Sequence, residues 1–185
     1  NSKITAMKIL IVSSLFFPWR LGGAEVVAES TASALFEFGH HVHVLTLSPD
    51  QDTTQDWSNG YQIRRIPLIN VYSIQDMDRA STFQRVQWHI KDRWNDAMRI
   101  VFASELKTIR PDVVLLHNIA GFSISIYREL AQAAIPFVQV LHDHYFGCLY
   151  STMYRNSKIC TFQCARCSLM RRRHLTTTRL ANGVI

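Results

Sequence analysis

The apolar run MKILIV at residues 7–12 constrains the fold of this chain more than any other feature. Six apolar or stem-forming residues without alternation read as a strand covered on both faces, the kind found in parallel sheets. A loop with Ser13, Ser14, Pro18 and Arg20 follows, and Gly22-Gly23 then opens a helical pattern at Ala24. Strand, glycine turn and helix N-terminus in succession offer backbone N–H groups and a positive dipole end to an anion. Gly22 and Gly23 are therefore candidates for holding a phosphate-bearing ligand, with a plain tight turn as the alternative. No G-x-G-x-x-G follows the strand, which disfavours a dinucleotide, and no G-x-x-x-x-G-K-[ST] occurs.

The alternation continues along the chain. Residues 42–47 read as a strand, 50–60 as a polar loop, and 61–66 as a short strand ended by Pro67. Residues 81–109 form the longest helical candidate, with Phe83, Val86, Ile90, Trp94, Met98, Val101, Phe102 and Leu106 at helical spacing. Its polar face mixes Arg85, Lys91, Asp92, Arg93 and Asp96, so the apolar stripe is expected to pack into a core rather than seek a membrane. Strands are expected at 112–116 and 137–141, helices at 122–134 and within 170–181, and Val184-Ile185 looks like the start of another strand. This predicts an α/β fold with a doubly wound parallel sheet. The 185 residues, 48% hydrophobic, suffice for one domain with its own core. No apolar stretch reaches the roughly 18 residues of a membrane-crossing helix. Residues 1–6 read as a leader or as residues foreign to a natural start at Met7, and no signal peptide is evident.

Charge is unevenly placed. No acidic residue follows Asp143, and the tail carries Arg155, Lys158, Arg166, Arg171, Arg172, Arg173 and Arg179. Residues 1–143 hold 13 basic against 14 acidic residues, so the formal net charge of +6 comes from the tail. A solvated helix face and a surface for phosphates or an anionic membrane are both open readings. Nucleic acid is disfavoured because no recognised binding motif accompanies the charge.

His142-Asp143-His144-Tyr145 follows directly on the strand at 137–141, and His117-Asn118 ends the preceding strand in the same way. In doubly wound sheets ligands sit beyond the carboxyl ends of the strands, so both clusters are site candidates by position. A metal held by His142, Asp143 and His144 is disfavoured, since adjacent residues on extended chain point in opposite directions. Cys148, Cys160, Cys164 and Cys167, four thiols within 20 residues, suit a tetrahedral structural zinc site in a loop at 146–168. Two disulfides, free thiols, or a three-thiolate iron–sulfur site on the C-x3-C-x2-C spacing are the rivals.

These features together resemble the start of a family 4 glycosyltransferase, a retaining, nucleotide-sugar-dependent enzyme of GT-B fold. The residues carrying the resemblance are the MKILIV strand, Pro18, Gly22-Gly23-Ala24-Glu25 and the L-x-x-x-G-H-x-V-x-V-x-T step at 35–46. The H-D-x-Y at 142–145, with cysteines downstream, is similar to one branch of that family. The resemblance covers residues 7–185 and implies a Rossmann-like N-terminal, acceptor-side domain, the first half of a GT-B architecture. It implies that the donor-binding C-terminal domain, with its paired glutamates, lies outside this chain, and that the fragment alone is inactive.

By the same resemblance, His142 is the reaction-centre residue, touching the donor sugar without acting as a general base. Gly22 and Gly23 approach the donor diphosphate. His117, Asn118, Asp143, Tyr145 and Arg20 are expected at the acceptor, with a surface salt bridge as the alternative for Arg20. No cofactor is required for the chemistry beyond the nucleotide-sugar substrate. Implied partners are a glycan or lipid-linked acceptor, as in lipopolysaccharide or exopolysaccharide synthesis, and the chain's own C-terminal domain. The implied location is the cytoplasm, with peripheral contact at the inner membrane face. A stand-alone flavodoxin-like binding module with a zinc loop is the competing account.

Overall fold

A computed structural model describes residues 5–185; residues 1–4, most of the expected leader, lie outside the described residues. The strands are β1 (Lys8–Ser13), β2 (His41–Ser48), β3 (Thr54–Ser58), β4 (Tyr61–Pro67), β5 (Val113–Leu116), β6 (Phe137–Gln139), β7 (Tyr154–Arg155), β8 (Lys158–Ile159) and β9 (Gly183–Val184). The α-helices are α1 (Gly23–Glu37), α2 (Thr82–Asp92), α3 (Asp96–Ile109), α4 (Ile126–Gln132) and α5 (Ala165–Thr177). Seven strands form one sheet in the order β3-β4-β2-β1-β5-β6-β9, with only β3 antiparallel. Numbered among themselves, the six parallel strands run 3-2-1-4-5-6, so the chain reverses its direction of winding between β1 and β5. That order is the dinucleotide-fold one and not the flavodoxin-like one, which removes the architecture of the competing account.

Strand β1 is central because both of its faces are covered. Leu10 and Val12 join Leu45, Met98, Phe102, Val114, Leu116 and Tyr127 on the face that carries α3 and α4. Ile9 and Ile11 join Ala28, Ala32, Val42, Val44 and Ile63 under α1. The period of two sends alternate residues to opposite cores, and both being apolar is what makes MKILIV continuous. Ala28 and Ala32, one turn apart and fully buried, let α1 approach the sheet closely.

The expected single helix at 81–109 is two helices, which corrects that reading. Asn95 stops the first and caps the second: its side chain accepts from the Met98 N–H at 3.2 Å and donates to the Ile69 carbonyl at 2.9 Å. The Ser125 hydroxyl donates to the Asn95 carbonyl at 2.9 Å, and the Asn95 N–H to Ser123 Oγ at 3.0 Å. Asn-Asp is an N-cap signature, and here it outweighs the continuing apolar period. The split divides the stripe. Met98, Phe102 and Leu106 on α3 are core, but Phe83, Val86 and Ile90 on α2 are exposed, so core packing holds only for the second half.

The polar loop expected at 50–60 contains β3, an edge strand paired with β4 through a two-residue turn at Asn59-Gly60. Both turn residues have positive φ, 50° and 88°, as a type I′ hairpin turn requires. A methyl group at Gly60 would lie 2.2 Å from the Phe36 ring. Gly60→Ala is expected to lower the unfolding free energy by about 1–3 kcal/mol, measured by urea denaturation. Helix α4 begins only at Ile126, after turns that bury Phe122 and Ile124, and α5 begins at Ala165, ahead of the expected start.

Candidate functional site

The loops at the carboxyl ends of β1, β5 and β6 meet where the winding reverses. The Ser14 hydroxyl donates to the Ala120 carbonyl at 2.6 Å, and the Ser14 N–H donates to the Asn118 carbonyl at 2.7 Å, locking the first two loops together. Asn118 turns its own Oδ1 inward, accepting from the Ala120 N–H at 3.1 Å. On the third loop, His142 brings its Nε2 to 3.0 Å from Nδ1 of His117, with the rings near parallel at 22°. His117 is 2% exposed, His142 half-buried. The pair faces a shallow depression floored by Ile119, Gln139 and Leu141.

Hydrogen bonds behind the pair set its position. Gln139 Nε2 donates to the His117 carbonyl at 2.7 Å, and the Tyr127 hydroxyl donates to Gln139 Oε1 at 2.5 Å. Burial, helped by the neighbouring His142, pushes His117 down to about 4, so it is neutral near pH 7. A neutral imidazole can give and take hydrogen bonds with hydroxyl groups without adding charge.

Asp143 is exposed and accepts from the Tyr145 N–H at 2.7 Å, a local turn contact. Tyr145 is buried, and its hydroxyl donates to Asp92 Oδ2 at 2.6 Å while the Gly121 N–H donates to Oδ1 at 2.7 Å. Asp92 is wholly buried, which raises it to about 6 against the pull of these two bonds. The structure thus brings His117, His142, Asp143 and Tyr145 around one corner, with the Tyr145 hydroxyl committed to Asp92.

The glycine turn lies at the end of β1. Glu25, in the first turn of α1, accepts from the Gly22 N–H at 2.8 Å, while Gly23 stands in open space. Arg20 pairs with Glu29 and lies over the Phe17 ring at 5.3 Å. Buried Arg65 on β4 holds this loop, donating to the Phe17 carbonyl at 2.5 Å and to Asp56 at 2.7 Å under the Trp19 ring.

Cys148 and Cys167 are buried, Cys160 and Cys164 half-buried, and all four are free. Backbone N–H groups lower the thiol of Cys164, the N-cap of α5, and burial raises that of Cys167. Cys164 and Cys148 both act on the Cys167 thiol, and among the described residues no group of three or more His, Cys, Asp or Glu side chains is placed to hold a metal ion. No helix among the described residues is long and apolar enough to cross a membrane.

Asp92, Ser14, Gln139 and Arg65 were missed by sequence reasoning. Asp92 sat on what looked like a solvated helix face, and only the inward turn at the α2–α3 break buries it. Ser14 had a signal, its place just past the end of a buried strand.

The model of glycosyltransferase family 4 matches residues 21–179, and the chain belongs to that family. A curated relative, described as an uncharacterized 42.6 kDa protein in the cps region of Klebsiella pneumoniae, is 25% identical over 150 residues. That match covers 81% of this chain and 40% of the relative, so the chain spans about two fifths of the relative's length. Among solved structures, the starch synthase IV catalytic domain from Arabidopsis thaliana, bound to ADP and acarbose, overlaps 76% of this chain and 35% of its own at 14% identity and a TM-score of 0.47. The Bordetella bronchiseptica enzyme WbmG, in complex with NAD and UDP, overlaps 97% and 52% at 11% identity and a TM-score of 0.48. These two structural overlaps are too slight to speak to ligands.

Proposed function

We propose that this chain is the acceptor-side domain of a retaining glycosyltransferase of GT-B architecture. It works with a C-terminal domain to transfer a sugar from a nucleotide-sugar to a glycan or lipid-linked acceptor. The observation that carries the reading is the His117–His142 pair at the carboxyl ends of neighbouring parallel strands, next to the winding reversal, in a chain of family 4. The relative's origin in a cps region favours a surface-polysaccharide product.

The residues of this chain act by position. His142 contacts a hydroxyl of the transferred sugar, and His117, held neutral, fixes the ring of His142. The Gly23 amide and the first turn of α1 face the leaving diphosphate. Glu25 occupies the Gly22 N–H, so Gly22 shapes the turn more than it binds. Catalysis draws on positioning and on electrostatic stabilisation of an oxocarbenium-like state. Arg20, paired with Glu29, reaches the acceptor only by leaving that pair.

The test is a turnover assay on the longer protein with a panel of nucleotide-sugars, with the product anomer read by NMR. Transfer with retained configuration is expected, and no transfer by residues 1–185 alone. An inverted product, or steady turnover by this chain alone, would overturn the reading. His142→Ala is expected to lower kcat/KM about tenfold, the worth of one hydrogen bond to a substrate hydroxyl, with the melting temperature unchanged. A loss of several thousandfold would instead make His142 a proton-transfer group.

A further inference from the structure

A cleft lined by arginines adjoins the depression at the histidine pair through Tyr145. Of about 480 Å³, it opens between the loop after β4, helix α2, the loop after β6 and the start of α5. Tyr72 and Trp88, stacked at 6.1 Å and 30°, form one wall with Val86, and the Tyr145 ring joins the cleft to the depression at His142. Arg85, Arg166 and Arg171 line it, and none of its lining residues is acidic.

These guanidinium groups differ from an ordinary solvated set. Arg171 is 2% exposed. Its carbon sits 4.5 Å over the Tyr145 ring, Nη1 lies 2.7 Å from His174 Nε2, and its buried Nε has no partner among the described residues. No described carboxylate lies within ion-pair distance of it; Asp92, behind the Tyr145 hydroxyl, acts on it only from farther off. Arg85 is held by two backbone carbonyls, donating to Ala80 at 3.1 Å and Met77 at 3.0 Å. Burial, with Arg171 and Arg166 adding to it, pushes His89 on the same wall downward, so both guanidinium groups are felt there. A buried guanidinium without a direct ion pair is costly, and an anion supplies both charge and acceptors. Three guanidinium groups suit a phosphate or diphosphate, with several acceptor oxygens and more than one charge, better than a single carboxylate.

We propose that this cleft is an acceptor subsite for a phosphate or diphosphate ester, whose anion seats on Arg85, Arg166 and Arg171 while its apolar ester group lies against Tyr72, Val86 and Trp88. The acceptor is then an anionic amphiphile, an inference that rests on the glycosyltransferase reading of the adjoining site. A sugar hydroxyl at the head of such a molecule reaches His142 past Tyr145.

The test is isothermal titration of this chain with farnesyl diphosphate below its aggregation concentration, with inorganic diphosphate, and with farnesol. Farnesyl diphosphate is expected to bind at least tenfold more tightly than either. Arg85→Ala and Arg166→Ala, both at exposed positions, are each expected to weaken it about tenfold with the melting temperature unchanged, and Lys107→Ala on the far helix to leave it unchanged. Equal binding of inorganic diphosphate assigns the cleft to a free anion and overturns the amphiphile. Binding that ignores both arginine substitutions overturns the site. If the longer protein transfers sugar to a neutral acceptor while this chain ignores farnesyl diphosphate, the subsite fails and the enzyme reading stands.

Discussion

Asp92→Ala is expected to lower the unfolding free energy by about 3–5 kcal/mol, the usual cost of breaking a buried charged hydrogen-bond centre. Asp92 ends α2 with no exposed surface, and its two oxygens receive the Tyr145 hydroxyl and the Gly121 N–H. Alanine strands both donors away from water and leaves a void. Asp92→Asn keeps the shape and one acceptor, so about half the loss is expected. Adding Tyr145→Phe to Asp92→Ala removes one stranded donor, and the double variant should be more stable than the sum of its parts predicts. Urea denaturation of the wild type, the two Asp92 variants, Tyr145→Phe and the double variant measures this. A loss under 1 kcal/mol for Asp92→Ala would mean that Tyr145 and Gly121 find other partners. The same variant should raise amide exchange in the loops after β5 and β6, because Asp92 is what ties them to α2.

Acidification should cost the protein about 3 kcal/mol of stability between pH 7 and pH 4.5. Burial pushes His117 down to about 4 and, with Arg171 and Arg93 adding to it, His174 down to about 3. In the unfolded chain both titrate near 6.5. Below that value the unfolded state takes up protons that the folded state refuses, so stability falls as the pH drops toward 4 and 3. Asp92 works the other way. Raised to about 6, it is protonated in the folded state before it is in the unfolded one, which adds stability between about pH 6 and 4. Two histidines outweigh one carboxyl, hence the net loss. Asp92→Asn deletes the opposing contribution, so its acid loss should be steeper, about 5 kcal/mol over the same range. A flat profile from pH 7 to 4.5 would mean that the two histidines are not held neutral.

Much of the site was legible because its residues sit where strands end. His117 and His142 are marked by their place immediately after buried apolar runs, and a parallel sheet sends such ends to one edge. That they meet, ring to ring, could not be read, because strand order decides which loops are neighbours and β5 and β6 are 20 residues apart in sequence. The glycine turn was legible as a turn, but the Glu25 carboxylate accepting from the Gly22 amide was not. The Asn59-Gly60 hairpin was missed in spite of a strong local signal, since the flanking residues of β3 are polar and exposed. The basic tail looked uniform. Only the seating of α5 separates buried Arg171, in the cleft, from Arg173, laid over the Trp94 ring at 3.7 Å.

Local chemistry therefore determined a great deal without help. The unbroken β1 run required a two-faced sheet, the alternation of strands and helices required parallel winding, and Gly22-Gly23 required a turn into a helix. Those follow from steric and solvation rules that act over a few residues. Tertiary structure alone decided which side of α2 is wet, where the long helix breaks, and which charges lose their water. Burial is a property of what packs on a residue from elsewhere in the chain, and so are the neutral His117, the committed Asp92 and the buried Arg171.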